Sequence, residues 1–204
     1  MKILIAIPTF ESIYPDVFKA IYGLNTCGQQ VVFDFIRGYD VAAARNMIAK
    51  QAIAEEADYL LTVDNDIVLP HDAIKYFLEA PKDVCIGFTA RRNTANLFDG
   101  ITATFKLGEF DYTNRYTCHE VKEMQERGEY KVHVHGGGMA SAFIKTDVFK
   151  RIDYPYYKWT EYDDGDILSE DLFFCERCKS AGIDIYADTR VTNGHIFRYT
   201  QEVF

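Results

Sequence analysis

Residues 59–70 read YLLTVDNDIVLP, and the fold turns on this stretch. Tyr59–Val63 is short, apolar and without alternation, which is the pattern of a strand buried on both faces of a parallel sheet. Asp64-Asn65-Asp66 stops it with turn-forming residues, and Pro70-His71 opens a helix to about Ala80. Working upstream, Ile3–Ile7 is a first buried strand ended by Pro8, residues 15–24 form a helix, and Gln30–Ile36 is a second strand. Asp40 precedes Val41, Ala44, Ile48 and Ala52, whose three-to-four spacing predicts a helix to about Glu56 with Asp40 as its cap. Downstream, Asp83–Phe88 is a fourth strand. This alternation predicts an α/β fold: a mostly parallel central sheet with helices on both faces.

The second half is less regular. It offers a strand at Ile101–Lys106, a polar helix at Thr117–Arg127 and an alternating strand at Tyr130–His135. Gly136-Gly137-Gly138 reads as a turn, or as a place where a substrate approaches the backbone, before a strand at Met139–Ile144. A short helix at Thr146–Arg151 and an aromatic, acidic loop over residues 154–169 follow. Ser169 then caps a helix at Glu170–Ala181, closed by Gly182, and short strands are expected at Ile183–Tyr186 and Arg190–Thr192.

The chain has 204 residues, enough to bury roughly 70% of its unfolded surface as one domain without disulfide staples. Its 22 lysines and arginines stand against 31 aspartates and glutamates, a formal charge of -9 that disfavours a broad nucleic-acid surface. Five scattered cysteines give no disulfide framework, so a cytoplasmic setting is expected. Cys175 and Cys178 form a CxxC with no second pair, which favours helix packing over zinc. The opening MKILIAIPTF is too short an apolar run for a signal peptide, and nothing approaches the 18 apolar residues of a membrane span.

Several side chains are placed to carry chemistry. Asp64 and Asp66 follow a strand directly, where the crevice of an open parallel sheet lies, and two carboxylates so spaced can reach one hard cation. Glu161, Asp163, Asp164, Asp166, Glu170 and Asp171 crowd six carboxylates into eleven residues. Glu170-Asp171 opens a helix, where a carboxylate is pre-oriented to act as a general base. His195, after Asn193-Gly194, suits a Mn-type ion already held by carboxylate. His133 and His135 share a strand face and are better read as a strand edge than as a metal pair. Arg45, Arg91 and Arg92 are candidates to neutralise a diphosphate. Residues 154–159, YPYYKW, offer flat faces for a sugar ring or pack the sheet edge.

MKILIAIPTF, the run from Arg45-Asn46 to TVDNDIVLP, GGGMASAFIKTDVFKRI, and SEDLFFCERCKSAGIDIYAD with the later His195 occur in an order that resembles a small GT-A-fold glycosyltransferase of the family-2-like group. The resemblance implies one GT-A catalytic domain over 1–204, with a nucleotide-binding half at 1–92 and an acceptor-binding half at 93–204. It implies Pro8, Thr9, Glu11 and Asp40 near the base and ribose of a UDP- or GDP-sugar, with Arg45, Asn65 and Arg91 near the nucleotide or its phosphates. Asp64, Asp66 and His195 would hold Mn2+ or Mg2+. Asp171, of the Glu170-Asp171 pair, would deprotonate an acceptor hydroxyl on a glycan, a protein or another molecule, with inversion favoured. Retaining enzymes share the fold, so stereochemistry stays open, and the chain is expected to be a stand-alone soluble monomer or homodimer of bacterial or phage type. The alternatives are a sugar-phosphate nucleotidyltransferase, which Pro8-Thr9-Phe10-Glu11 disfavours because the glycine- and basic-rich signature is missing, and a non-catalytic carbohydrate- or protein-binding domain.

Overall fold

Apolar runs flanked by turn residues become strands here, and amphipathic segments become the helices that cover them. The computed structural model describes residues 1–9, 12–37, 40–91, 100–111, 113–162 and 165–196. The first half contributes β1 (Lys2–Thr9), α1 (Pro15–Tyr22), β2 (Gln30–Arg37), α2 (Val41–Ala54), β3 (Tyr59–Val63), β4 (Ile67–Val68), α3 (Ala73–Leu78) and β5 (Val84–Thr89). Then come β6 (Ile101–Phe105), β7 (Arg115–Thr117), α4 (Cys118–Glu126), β8 (Lys131–Val134), β9 (Gly136–Gly137), β10 (Ser141–Lys145) and α5 (Val148–Arg151). The chain closes with β11 (Thr160–Glu161), β12 (Ile167–Leu168), α6 (Glu170–Ser180) and β13 (Ile185–His195).

An eight-stranded sheet runs β2-β1-β3-β10-β5-β13-β4, and β8 also pairs with β13. β1 is parallel to β2 and β3, and β5 is parallel to β13. β10 enters antiparallel between β3 and β5, while β4 and β8 oppose β13. The sheet is thus mostly parallel. Because β10 and β13 come from the second half, residues 1–92 and 93–204 share this one sheet.

Alternation along the strands sends side chains to two cores. Leu4, Ala6, Leu60, Ile86, Ala142 and Ile144 join α2, α4, α5 and α6 on one face. Ile3, Ile5, Ile7, Leu61, Val63 and Phe143 join α1 and α3 on the other. Helices therefore cover both faces, as expected. Cys175 and Cys178 are fully buried in the first core, and burial pushes the Cys175 thiol up to about 12. Tyr156 and Tyr157 pack there too, their backbone N–H groups donating to Asn46 Oδ1 at 2.9 and 3.2 Å, so this part of the aromatic stretch is structural.

Three local expectations are corrected. The two short C-terminal strands are one, β13, whose pairing with β5 shifts between Asp188 and Thr192. Asp188, inside this stretch, is fully buried between Lys131 Nζ at 2.8 Å and Arg190 Nη2 at 2.9 Å. Ser169 stands at the start of α6 in extended conformation but makes no side-chain cap. Gly136-Gly137 is strand rather than turn, paired with β6. A Cβ at Gly136 would lie 2.8 Å from Cys175 Sγ, so these glycines admit the protein's own packing. Among the described residues no helix is long and apolar enough to cross a membrane.

Candidate active site

The parallel strands set the site. β1, β3, β5 and β13 point the same way, so Thr9, Asp64, Ala90 and His195 gather at their carboxyl ends. The β4–β13 pairing closes a separation of 128 residues, aligning Ile67 with His195, and Ile196 N–H donates to the Asp66 carbonyl at 2.9 Å. Asp64 N–H donates to the Ala140 carbonyl at 2.9 Å, fixing the DND turn to the approach of β10.

Behind the turn lies a buried ionic cluster. Arg45, on α2, is only 3% exposed. Its Nη2 donates to Asp64 Oδ1 at 3.0 Å and Nη1 to the Met139 carbonyl at 3.0 Å. Glu170 Oε1 lies 3.5 Å from its Nε, and Asp171 Oδ1 lies 3.4 Å from its Nη1. Burial opposes the charge of Arg45, but Asp171, Asp64 and Glu170 outweigh it and hold the guanidinium firmly ionised. Three carboxylates share one cation, and Glu170 responds: burial first, then the charge of Asp171, pushes its carboxyl up to about 7. Glu170 is 4% exposed, whereas Asp171 reaches the cleft.

Asp66 and His195 face each other, with His195 Nε2 3.8 Å from Asp66 Oδ2. The other ring nitrogen, Nδ1, is 2.9 Å from the Ala90 carbonyl. A carbonyl only accepts, so Nδ1 carries a proton and donates, which leaves Nε2 as the ring nitrogen on the side of Asp66. This carboxylate–imidazole pair suits a Mn-type cation in donor chemistry. Among the described residues no group of three His, Cys, Asp or Glu side chains is disposed to hold a metal ion.

Two cavities meet at Asp64 and Asp66. One, of about 460 Å³, is lined by Asp66, His195, Arg91, Arg115, Gly138 and Asp171 among others. The second, of about 370 Å³, is lined by Pro8, Thr9, Val41, Ala44 and Asn65 beside the two aspartates. Asn65 is tied to the loop after β1 by its Nδ2, which donates to the Ser12 carbonyl at 3.3 Å.

The structure brings Pro8, Thr9, Asp64, Asn65, Asp66, Arg91, Asp171 and His195 to this continuous cleft. Arg45 and Glu170 lie beneath it. Asp40 accepts from Ala42 and Ala43 N–H at 3.0 and 3.1 Å, so its carboxylate caps α2 rather than lining the cleft. Glu11, Arg92, Asp163 and Asp164 lie outside the described residues. His133 and His135 are elsewhere: His133 Nε2 is 3.4 Å from Asp184 Oδ1, and His135 packs edge-on against Phe110. Sequence reasoning missed Arg115, whose guanidinium lies 4.0 Å over the Phe105 ring in the wall of the first cavity. A single arginine in TNRYT carries no pattern that would have marked it.

No protein-family model matches this chain, and no curated protein matches it either. Solved structures do. A197 from STIV superposes with a TM-score of 0.62 at 18% identity, over 97% of this chain and 87% of that one. GalNAc-T7, solved with UDP, GalNAc and Mn2+, superposes with a TM-score of 0.62 at 10% identity over 97% of this chain. The match spans 43% of GalNAc-T7. These likenesses concern the fold, and they support a GT-A-like arrangement of the sheet and helices.

Proposed function

We propose that the protein is a metal-dependent glycosyltransferase that moves a sugar from a nucleoside-diphosphate sugar to an acceptor hydroxyl, with inversion. The observation that carries this reading is the continuity of the two cavities: a carboxylate, Asp171, and a carboxylate–imidazole pair, Asp66 and His195, line one, which opens at Asp64 into the other. In this reading the cavity of Pro8, Thr9 and Asn65 takes the base and ribose, and the larger one takes the diphosphate and sugar. UDP- and GDP-sugars are the favoured donors. GalNAc-T7 is described with UDP and Mn2+, which agrees with this assignment.

Asp66 and His195 would hold Mn2+ or Mg2+, which offsets negative charge on a leaving diphosphate when bound. Asp64 serves differently: its carboxylate holds Arg45, which in turn orients Asp171. Arg91 and Arg115 line the same cavity as Asp171 and would meet the anionic oxygens of the donor. Asp171 then accepts the proton of the acceptor hydroxyl as that oxygen attacks the anomeric carbon. Glu170, buried behind Asp171, keeps the local negative charge low by retaining its own proton near neutrality.

The test is metal-dependent nucleotide binding. UDP and GDP should bind the full chain more tightly with Mn2+ than with EDTA, and Asp66→Ala should abolish the difference. Equal affinity with and without metal in the unaltered protein would sink the proposal.

A further inference from the structure

A third cavity, of about 890 Å³, shares Phe105, Ile167 and Leu172 with the one that holds Asp171. It extends the cleft away from the nucleotide side, between the loop after β6, the outer face of α6 and the β11–β12 ribbon. Its charge is one-sided. Among the described residues, Glu109, Asp111, Asp166 and Glu176 line it beside one ammonium, Lys179. Asp111 accepts from Thr113 N–H and Oγ1, and those hydrogen bonds hold its carboxyl below the usual range, so it stays ionised. His135, also in the wall, is pushed down by burial and then by Lys179, so it adds no positive charge at neutral pH. Apolar surface accompanies these carboxylates: Ile167 is 65% exposed and Tyr162 is 45% exposed, and both border the cavity.

Resting on the transferase reading above, we propose that this groove binds the acceptor, and that the acceptor is a polypeptide segment with lysine or arginine beside the hydroxyl that is modified. Two features argue for that occupant together. The carboxylates attract a cation and repel phosphate-bearing or uronic-acid acceptors. The exposed isoleucine and tyrosine in the same cavity wall suit the long aliphatic stems of lysine and arginine, which lie on apolar surface while their heads reach acid. An amino sugar offers the charge without the stem. The shared wall at Leu172 adjoins Asp171 in the chain, so a hydroxyl carried by a segment in the groove enters the cavity that the base lines.

Three nine-residue probes, each with one threonine flanked by lysine, glutamate or alanine, would be measured against the full chain by fluorescence anisotropy, beside a glucosamine oligomer. The lysine probe should bind at least about tenfold more tightly than the alanine probe, and the glutamate probe should bind least. Raising the salt from 50 to 500 mM should erase most of that preference. Glu109→Gln with Glu176→Gln should weaken the lysine probe several-fold and leave UDP and GDP binding unchanged, with the thermal midpoint checked to show that the variant folds. Equal binding of the lysine and alanine probes, or an unaltered preference in the double variant, overturns the proposal, as does a glucosamine oligomer that binds in place of the peptide. Nucleotide binding is read separately. A charge preference without metal-dependent nucleotide binding refutes the transferase reading and leaves a peptide-binding groove; nucleotide binding without the preference refutes the groove alone.

Discussion

Arg45 and Asp171 lie 3.4 Å apart, with the guanidinium 3% exposed and in contact with Asp64 and Glu170 as well. One buried cation thus ties the turn after β3 to the start of α6. Removing it leaves the Asp64 and Asp171 carboxylates without their shared cation, beside the raised carboxyl of Glu170. Arg45→Ala should cost about 3–5 kcal/mol of unfolding free energy, the usual penalty for stranding buried charge. Arg45→Lys should recover only part of this, since an ammonium lacks the fork that spans Met139, Asp64 and Asp171. Urea denaturation checks both. A loss below about 1 kcal/mol for Arg45→Ala would show that the cluster does not stabilise the fold.

Glu170 makes stability depend on pH in an unusual direction for a carboxyl. Its folded-state value is raised to about 7 from an ordinary 4.5, by burial first and then by Asp171. The folded protein therefore keeps a proton that the unfolded chain has already lost. That contribution is fully present below about pH 4.5 and is lost as pH rises to about 7. Glu170→Gln cannot lose the proton, so the variant should gain stability relative to the unaltered protein across this interval. Unfolding free energies of the pair at pH 5, 6 and 8 decide it, and a difference that does not change with pH refutes the shift.

What sequence could show was local. The Tyr59–Val63 strand, the DND turn and the Asp40 cap each depend on a few neighbouring residues, and each forms as read. The central place of β10 was not legible, because strand order depends on pairings between distant segments. Arg45 was read as a helix residue near phosphate, since nothing in the pattern around it reports that it is buried. His195 is marked in the sequence by the Asn193-Gly194 turn before it and by its imidazole chemistry, neither of which reports its neighbour. Its approach to Asp66 needed the β4–β13 pairing. The glycine run misled because glycine marks turns and tight strand packing alike.

Asp171→Asn separates binding from chemistry. The amide keeps the shape of the side chain in the wall of the cavity but cannot take a proton from a hydroxyl. Sugar transfer should fall by roughly 10²–10⁴-fold, the usual contribution of a positioned base. Nucleotide affinity should stay within about threefold, because Asp66 and His195 are untouched. Steady-state transfer and equilibrium binding on the same preparation check this. Transfer at the unaltered rate would remove Asp171 from the reaction.

The orientation of His195 yields a second separation. With Nδ1 donating to the Ala90 carbonyl, only Nε2 is available on the side of Asp66. His195→Ala should therefore weaken Mn2+ binding in the presence of UDP by at least about tenfold, while leaving metal-free nucleotide binding as it was. The bound Mn2+ fraction, followed by electron paramagnetic resonance, is the readout. An unchanged titration would show that the imidazole is not a ligand.

Gly137 tests whether the glycines serve packing. A Cβ there would sit 2.8 Å from Ile86 Cδ1, and it would also press on backbone, 3.1 Å from Thr104 Cα and 3.2 Å from the Ala103 carbonyl. Ile86 can rotate, but the β6 backbone is held by its pairing with β9 and cannot withdraw alone. Gly137→Ala should lose about 1–3 kcal/mol, as overpacked sites do. Gly138 is the contrast. Its added Cβ would meet Ala103 Cβ at 3.2 Å and Asp171 Oδ2 at 3.7 Å, at the wall of the cavity that Asp171 lines. Gly138→Ala should melt closer to the unaltered protein but bind donor sugar less well, since the methyl enters space beside the base. If the two substitutions destabilise equally and neither changes donor binding, the glycines do not divide between packing and cavity in this way.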